Sequence, residues 1–430
     1  MGIMNQLIDR VIKTSLIMMI LLSLFLSWKI WTKPANRSVS EKENNSELVQ
    51  MKKMSEVYVP TKLFYHKSKN EFLTSSKENT LLDIHNKLIK FEMKNSKIVD
   101  EKSIKDRLFS ENTFNLLYPN ELPLSVYKDI YRLELEVPKD FEDFRFNRLI
   151  YSFEKEEIYF VNSKLTTGIK FSTKGDSNSI KELVKNEKKN NYSPVKLSEE
   201  NIAGIYYLTD DVKLKTFSYM VATQSFTTFS KAFFEQSNDL YSNDTENVNL
   251  SNGEGESLTI QSETGEVNYV GKLNSTSAGT NKLYQDTFQY VENLGNALGT
   301  LRYFDDKEGN ITYRNYVDGF PVFGNDIKGR LEIMVQNRRV LVRTNQEAIQ
   351  IPIPSDETVT LLSTDKMLNN LVENGVDISL IEDAQIGYEW QTNQETKQAV
   401  DLVPTWYVKY KNIWYSDDKL IKDIEKGGAD

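Results

Sequence analysis

The chain has 430 residues, a net charge of −9, no cysteine and two histidines. Disulfides, thiolate metal sites and thiol nucleophiles are therefore excluded, and two histidines cannot assemble a histidine-based metal cluster. The first 37 residues hold five basic side chains and one aspartate, so the remainder carries −13, a balance poorly suited to nucleic acid or to an anionic membrane surface.

The first feature along the chain is an apolar run from Thr14 to Trp28. Taken from Val11 to Trp31 it is long enough, at about 1.5 Å per helical residue, to cross a hydrocarbon core of about 30 Å. Lys13 and Lys29 sit near its ends, and Trp28 and Trp31 mark one interface. The stretch that follows lacks the small residues of a signal-peptidase site, so the expectation is an uncleaved signal-anchor. The predicted layout is a cytoplasmic tail over 1–13, a transmembrane helix over 14–31 and a solvated stalk over 32–54, with the acidic bulk outside the cytoplasm. Within the run, Ser15, Met19, Ser23 and Ser27 recur at four-residue intervals. Such a stripe lets a partner helix approach closely, although serine hydroxyls also bond back to their own helix.

Beyond the stalk, the chain reads as α+β, with antiparallel sheets and packed helices in three domains: 55–194, 195–276 and 277–430. The first opens with the extended VYVPTKLFYH and a helix in which Leu81, Leu82, Ile84, Leu88, Ile89 and Phe91 recur at helical spacing. His85 is expected at the edge of that helix, and His66 in a turn. A second helix is expected over 103–117, stopped by Pro119 and Pro123, and strands over 129–137, RLIYSF and EEIYFVN. A short helix over 180–184 precedes a charged run, KNEKKNNYSP, that reads as a linker.

In the second domain, strands flank Asp210 and Asp211, then come an amphipathic helix (SFTTFSKAFFE) and a hairpin. In the third, a helix over 284–298 leads into antiparallel strands, among them TLRYF, ITYRNYV, FPVFG, LEIMV and VLVRT. A helix ending at Gly375 and the closing strands ISLIEDAQIGYEW, LVPTWYVKY and NIWYS complete the chain. The order of strand, hairpin, helix and strand recurs after residue 195, which suggests that the last two domains are alike.

No nucleophile elbow, zinc-protease motif or phosphate loop occurs, and DDKEGN lacks the alternation of a calcium loop. The pairs Asp210/Asp211, Asp305/Asp306 and Asp417/Asp418 are read as turn residues. No catalytic, cofactor or metal residue is therefore assigned. In DGFPVFG, Gly319, Pro321 and Gly324 suit a tight entry and exit around one short strand. Phe320 and Phe323 must then face opposite ways.

The signal-anchor, the opening PTKLFYH, the phrase ITYRNYVDGFPVFG with Gly319, Phe320, Pro321, Phe323 and Gly324, and the closing LVPTWYVKYKNIWYS with Pro404 and Trp406 together resemble the YycH (WalH) family of low-GC Gram-positive bacteria. The resemblance implies a membrane-anchored extracytoplasmic regulator of the sensor histidine kinase WalK (YycG), acting with the single-pass protein YycI, and no catalytic residues. Two other readings stay open: a peptidase inhibitor, because GFPVFG also resembles PepSY-type phrases, and a cell-wall polymer binding protein.

Overall fold

The computed structural model describes Leu16, Met18, Met19 and Ser23 in a first unit (1–48), and in a second unit (49–430) residues 51–198, 206–234, 241–242, 247–273, 279–307, 309–393, 396 and 398–427. The four residues of the first unit are helical. Ser15, Ser27 and most of the expected tail, anchor and stalk lie outside the described residues. Among the described residues no helix is long and apolar enough to cross a membrane.

Between Lys62 and Leu208 the chain builds one antiparallel sheet. Its strands are β1 (Lys62–Ser68), β2 (Glu71–Ser75), β3 (Glu92–Asp100), β4 (Thr113–Pro123), β5 (Arg145–Ser152), β6 (Glu157–Val161), β7 (Thr167–Lys174), β8 (Ser193–Leu197) and β9 (Tyr206–Leu208). They lie in the order β3-β7-β6-β5-β4-β1-β2-β8-β9. The polypeptide turns tightly where short polar side chains can bond their own backbone: Asn162 Oδ1 between β6 and β7 accepts from Thr166 N at 3.0 Å and Thr167 N at 3.2 Å. Helices Glu78–Leu88 and Ser177–Lys185 cover one face, burying Leu81, Ile84 and Leu88 with Ile180 and Val184. Helix Glu101–Leu108 lies on the other, with Ile104 and Leu108 against Ile150, Tyr159 and Val161.

Three sequence expectations are corrected in this region. The helix expected over 103–117 stops at Leu108; Asn112, at φ 53°, turns the chain, and TFNLLY becomes β4. Pro119 sits in an irregular stretch of that strand between Leu117 and Leu122, where proline's missing donor leaves no gap in a ladder, and Pro123 is its last residue, opposite Arg145. The strand expected over 129–137 is instead the end of helix Leu124–Tyr131, closed by Arg132 in the left-handed region. Leu124, Tyr127 and Tyr131 recur at helical spacing, and that outweighs the alternation of Leu133 and Leu135, which are buried in an unpaired extended stretch. The charged run expected as a linker forms a single helical turn, Glu187–Asn190, and then β8. Asn190 is buried there, its amide donating to the Leu183 and Val184 carbonyls at 2.8 and 3.1 Å.

The rest of the chain adds β10 (Val212–Lys215), β11 (Phe217–Thr223), β12 (Tyr241–Ser242), β13 (Val248–Ser251), β14 (Ser257–Ile260), β15 (Glu266–Lys272), β16 (Leu301–Lys307), β17 (Asn310–Val317), β18 (Phe320–Phe323), β19 (Arg330–Gln336), β20 (Arg339–Asn345), β21 (Glu347–Ile353), β22 (Thr358–Leu361), β23 (Ile381–Thr392), β24 (Ala399–Tyr410) and β25 (Ile413–Ser416). One sheet runs β12-β13-β14-β15-β20-β19-β17-β18-β23-β24-β11-β21, with β16 beside β17 and β25 beside β24; β10 pairs with β22 separately. Helix Thr280–Leu294 lies beside Phe226–Phe233 and buries Phe288, Val291 and Leu294. Helices Thr364–Glu373 and Asp417–Glu425 pack Met367, Leu371 and Leu420 beside Trp406 and Val408. Residues 357–363, expected within the first of these two helices, hold β22 instead, and Gly375 follows the helix at φ 83°.

Candidate functional site

The described part of the second unit begins by pinning its two larger sheets together. Lys52 is buried, and its ammonium donates to the Gly299 carbonyl; burial, with repulsion from Arg302, pushes it down to about 8. Arg302 reaches the Glu56 carbonyl at 2.6 Å and pairs with Glu78. Behind helix Met54–Val57, Tyr58 is wholly buried: its ring stacks on Tyr303 at 5.2 Å, and its hydroxyl meets that of Tyr313 at 2.6 Å. The segment 52–58, at the end of the expected stalk, is thus wedged against β16 and β17.

The phrase DGFPVFG forms the second joint. Strand β18 lies antiparallel to β17 and parallel to β23, with Val322 opposite Tyr388, the one parallel pair among the described strands. Four residues therefore join the two antiparallel halves of the large sheet. Gly319 takes φ 84°, and a Cβ there would overlap the Ser76 carbonyl at the end of β2. Beside it, Lys77 pairs with Asp318 at 3.0 Å. Phe320 and Phe323 point to opposite faces. Phe320 packs by Tyr388 on the side of a cleft of about 330 Å³, while Phe323 stacks on Tyr407 at 3.8 Å and lies 4.0 Å from the Arg314 guanidinium. That guanidinium is buried, which pushes it down to about 9. A Cβ on Gly387 would meet the Phe323 ring at 2.7 Å, so β23 needs glycine there to approach β18. Pro321 is buried, and Gly324 lies against Trp390 and Lys328. Pro404 stands opposite Tyr388 across β23 and β24, and Trp406 Nε1 donates to the Leu362 carbonyl at 2.9 Å.

Two cavities lie between the nine-stranded sheet and the end of β23. The first, the 330 Å³ cleft, is walled by Phe64, Tyr206, Leu208, Phe320 and Trp406, with Lys77, Asp210 and Asp211 on its polar side. Asp211 accepts from Ser363 N at 2.9 Å and from Lys366. The second, of about 520 Å³, holds Lys62, Arg148, Lys164 and Lys409 facing Asp305, Glu382 and Asp383. The stacked rings of Phe64 and Tyr206, 3.8 Å apart, help to wall both cavities. Burial pushes the Asp383 carboxyl up and the Lys62 ammonium down.

Asp210 and Asp211 lie between β9 and β10, in a turn as expected, while the other acid pairs and the histidines fall elsewhere. Asp305 and Asp306 lie in β16, not in a turn. Asp306 is buried against Arg145 at 2.7 Å and accepts the Tyr284 hydroxyl. Asp417 and Asp418 open the last helix, where burial pushes Asp417 up to about 6. His85 is wholly buried, not at a helix edge: its Nε2 lies 2.9 Å from the Tyr127 hydroxyl and 3.1 Å from that of Tyr118, and burial pushes it down to about 3. His66 is a buried β1 residue stacked on Phe72 at 4.0 Å. No group of three or more metal-ligating side chains occurs among the described residues. Lys62, Arg148, Asp383 and Trp414 were not singled out from sequence. The available signal was Arg148 falling in phase with the buried Ile150 along β5.

The family model described as "YycH protein, N-terminal domain" matches residues 11–192, and "YycH protein, C-terminal domain" matches 204–423. No curated protein matches. Among solved structures, the crystal structure of YycH from Bacillus subtilis superposes with a TM-score of 0.70 at 15% identity, covering 85% of this chain and 97% of that one, a likeness of fold. An uncharacterised protein from Eubacterium rectale gives a TM-score of 0.28 at 13% identity over 46% of this chain and 77% of that one, too low to carry an argument. With the two domain models together matching most of its length, the chain belongs to the YycH family.

Proposed function

We propose that this chain is a membrane-anchored extracytoplasmic regulator of the sensor histidine kinase WalK (YycG), acting with YycI in the control of cell-wall metabolism. Membership of the YycH family carries the reading. The chain acts by contact, not by bond-making. Its N-terminal apolar run packs, through Ser15, Met19, Ser23 and Ser27, against a partner's membrane helix. A regulator of this kind biases one arrangement of a helix bundle over another, which is a coupling free energy between two states.

The placement of residues 52–58 supports a path for that coupling. The segment that follows the expected stalk in sequence is held by Lys52, Arg302 and Tyr58 against β16 and β17, so a pull on it is felt at the core of the large sheet. The test is recovery of partners from membranes with the full-length chain as bait. The kinase and a second single-pass protein are expected with the native chain, and less of both with Ser23→Leu/Ser27→Leu. Undiminished recovery with the double variant removes the helix stripe; no kinase with either chain removes the regulator reading.

A further inference from the structure

The 520 Å³ cavity between β5 and β23 contains a cation, Arg148, that makes no ion pair among the described residues, although Asp305, Glu382 and Asp383 also line the space. Arg148 is only 5% exposed, and its Nε and Nη1 have no hydrogen-bond partner among the described residues. The guanidinium lies 5.4 Å from the centre of the Tyr206 ring, and among the described residues the Tyr206 side chain is the one group that favours its charge against burial. Among the described residues no carboxylate pairs with it: Lys409 lies between Asp305 and Glu382, at 3.9 and 3.8 Å, and Asp383 acts on Lys62. Two further polar atoms of residues lining the same cavity, Asn147 Oδ1 and Trp414 Nε1, are buried and unpartnered among the described residues.

Buried polar groups are almost always satisfied, and an uncompensated buried guanidinium is among the most costly groups a fold can hold. Several such groups around one space of ligand size indicate that something completes them. We propose that this cavity binds a small molecule through its oxyanion, a carboxylate or phosphate group, held by Arg148 and Lys62 with the Trp414 indole N–H as a further donor. Guanidinium suits such anions, being always charged and weakly hydrated. Phe64, Tyr206 and Phe304 supply apolar wall for the rest of the molecule. The bound anion bridges the nine-stranded sheet, through Lys62 and Arg148, to β25 of the large sheet, through Trp414. The inference does not rest on the identity of any protein partner.

The test follows the Trp414 indole N–H resonance in the full-length chain, assigned by its loss in Trp414→Phe, during titration with inorganic phosphate and, separately, acetate, each against chloride at matched ionic strength. A saturable shift with one or both anions is expected, with apparent affinity at least about tenfold lower in Arg148→Met; the anion that saturates first identifies the headgroup. The indole signals of Trp390 and Trp406 report whether the variant remains folded, and Lys62→Met, expected to weaken binding as well, serves if it does not. A Trp414 signal that moves no more than in chloride, or that shifts equally in the native chain and in both substituted chains, overturns the proposal.

Discussion

At the scale of single residues, two titratable groups, one buried and one half-buried, pull stability in opposite directions with pH. His85 is held neutral, with a folded value of about 3 against an ordinary 6.5. As pH falls, the unfolded chain takes its proton first, so this contribution is complete above about 6.5 and is lost at about 1.4 kcal/mol per pH unit down towards the folded value. Thermal unfolding of His85→Gln should therefore fall less steeply between pH 7 and pH 5 than that of the native chain; parallel curves would show that His85 is not buried as described. Asp417 has the opposite sign, because its folded value, about 6, is raised from 3.8. Its ionised form is disfavoured in the fold, so Asp417→Asn should add up to about 3 kcal/mol at pH 8 and nothing below pH 4. Denaturant melts at the two pH values check this. Neither environment was legible in the sequence. The tyrosines around His85 lie 33 and 42 positions away, and helical spacing around Leu81 and Leu88 says nothing about what folds over them.

At the scale of elements, DGFPVFG was legible as a short strand with tight ends, because glycine and proline carry their backbone geometry with them. Its role as the parallel link between two antiparallel halves was not, since β18 meets β23 across about 65 positions of sequence. Gly319→Ala should cost about 1–3 kcal/mol, and more than Gly253→Ala, which has a similar φ but nothing nearby to strike. Phe323→Ala should cost about 3–5 kcal/mol, since it empties the space between Tyr407 and Arg314. Equilibrium denaturation of the three variants orders these costs, and equal losses for the two glycines would contradict the close approach to Ser76. The misread elements, 103–117 and 129–137, failed where helical and strand periods compete over a few residues.

At the scale of the whole molecule, the α+β class and the antiparallel pairing followed from alternation and turn chemistry. The family resemblance was legible in the N-terminal apolar run and in phrases spread from PTKLFYH to NIWYS. What local pattern did not convey was the joining of distant segments: residues 52–58 lodged against β16 and β17, and a polar chamber formed by β5 with β23 and β25. A regulator needs such joints, because a change at one end must be felt at the other. The central claim is that the chain alters a kinase by contact. Its most direct test is the autophosphorylation rate of the sensor kinase in vesicles, with and without the full-length chain co-inserted. The account predicts a changed rate when the chain is present, lost with Ser23→Leu/Ser27→Leu; a rate that is the same with the chain and without it would contradict it.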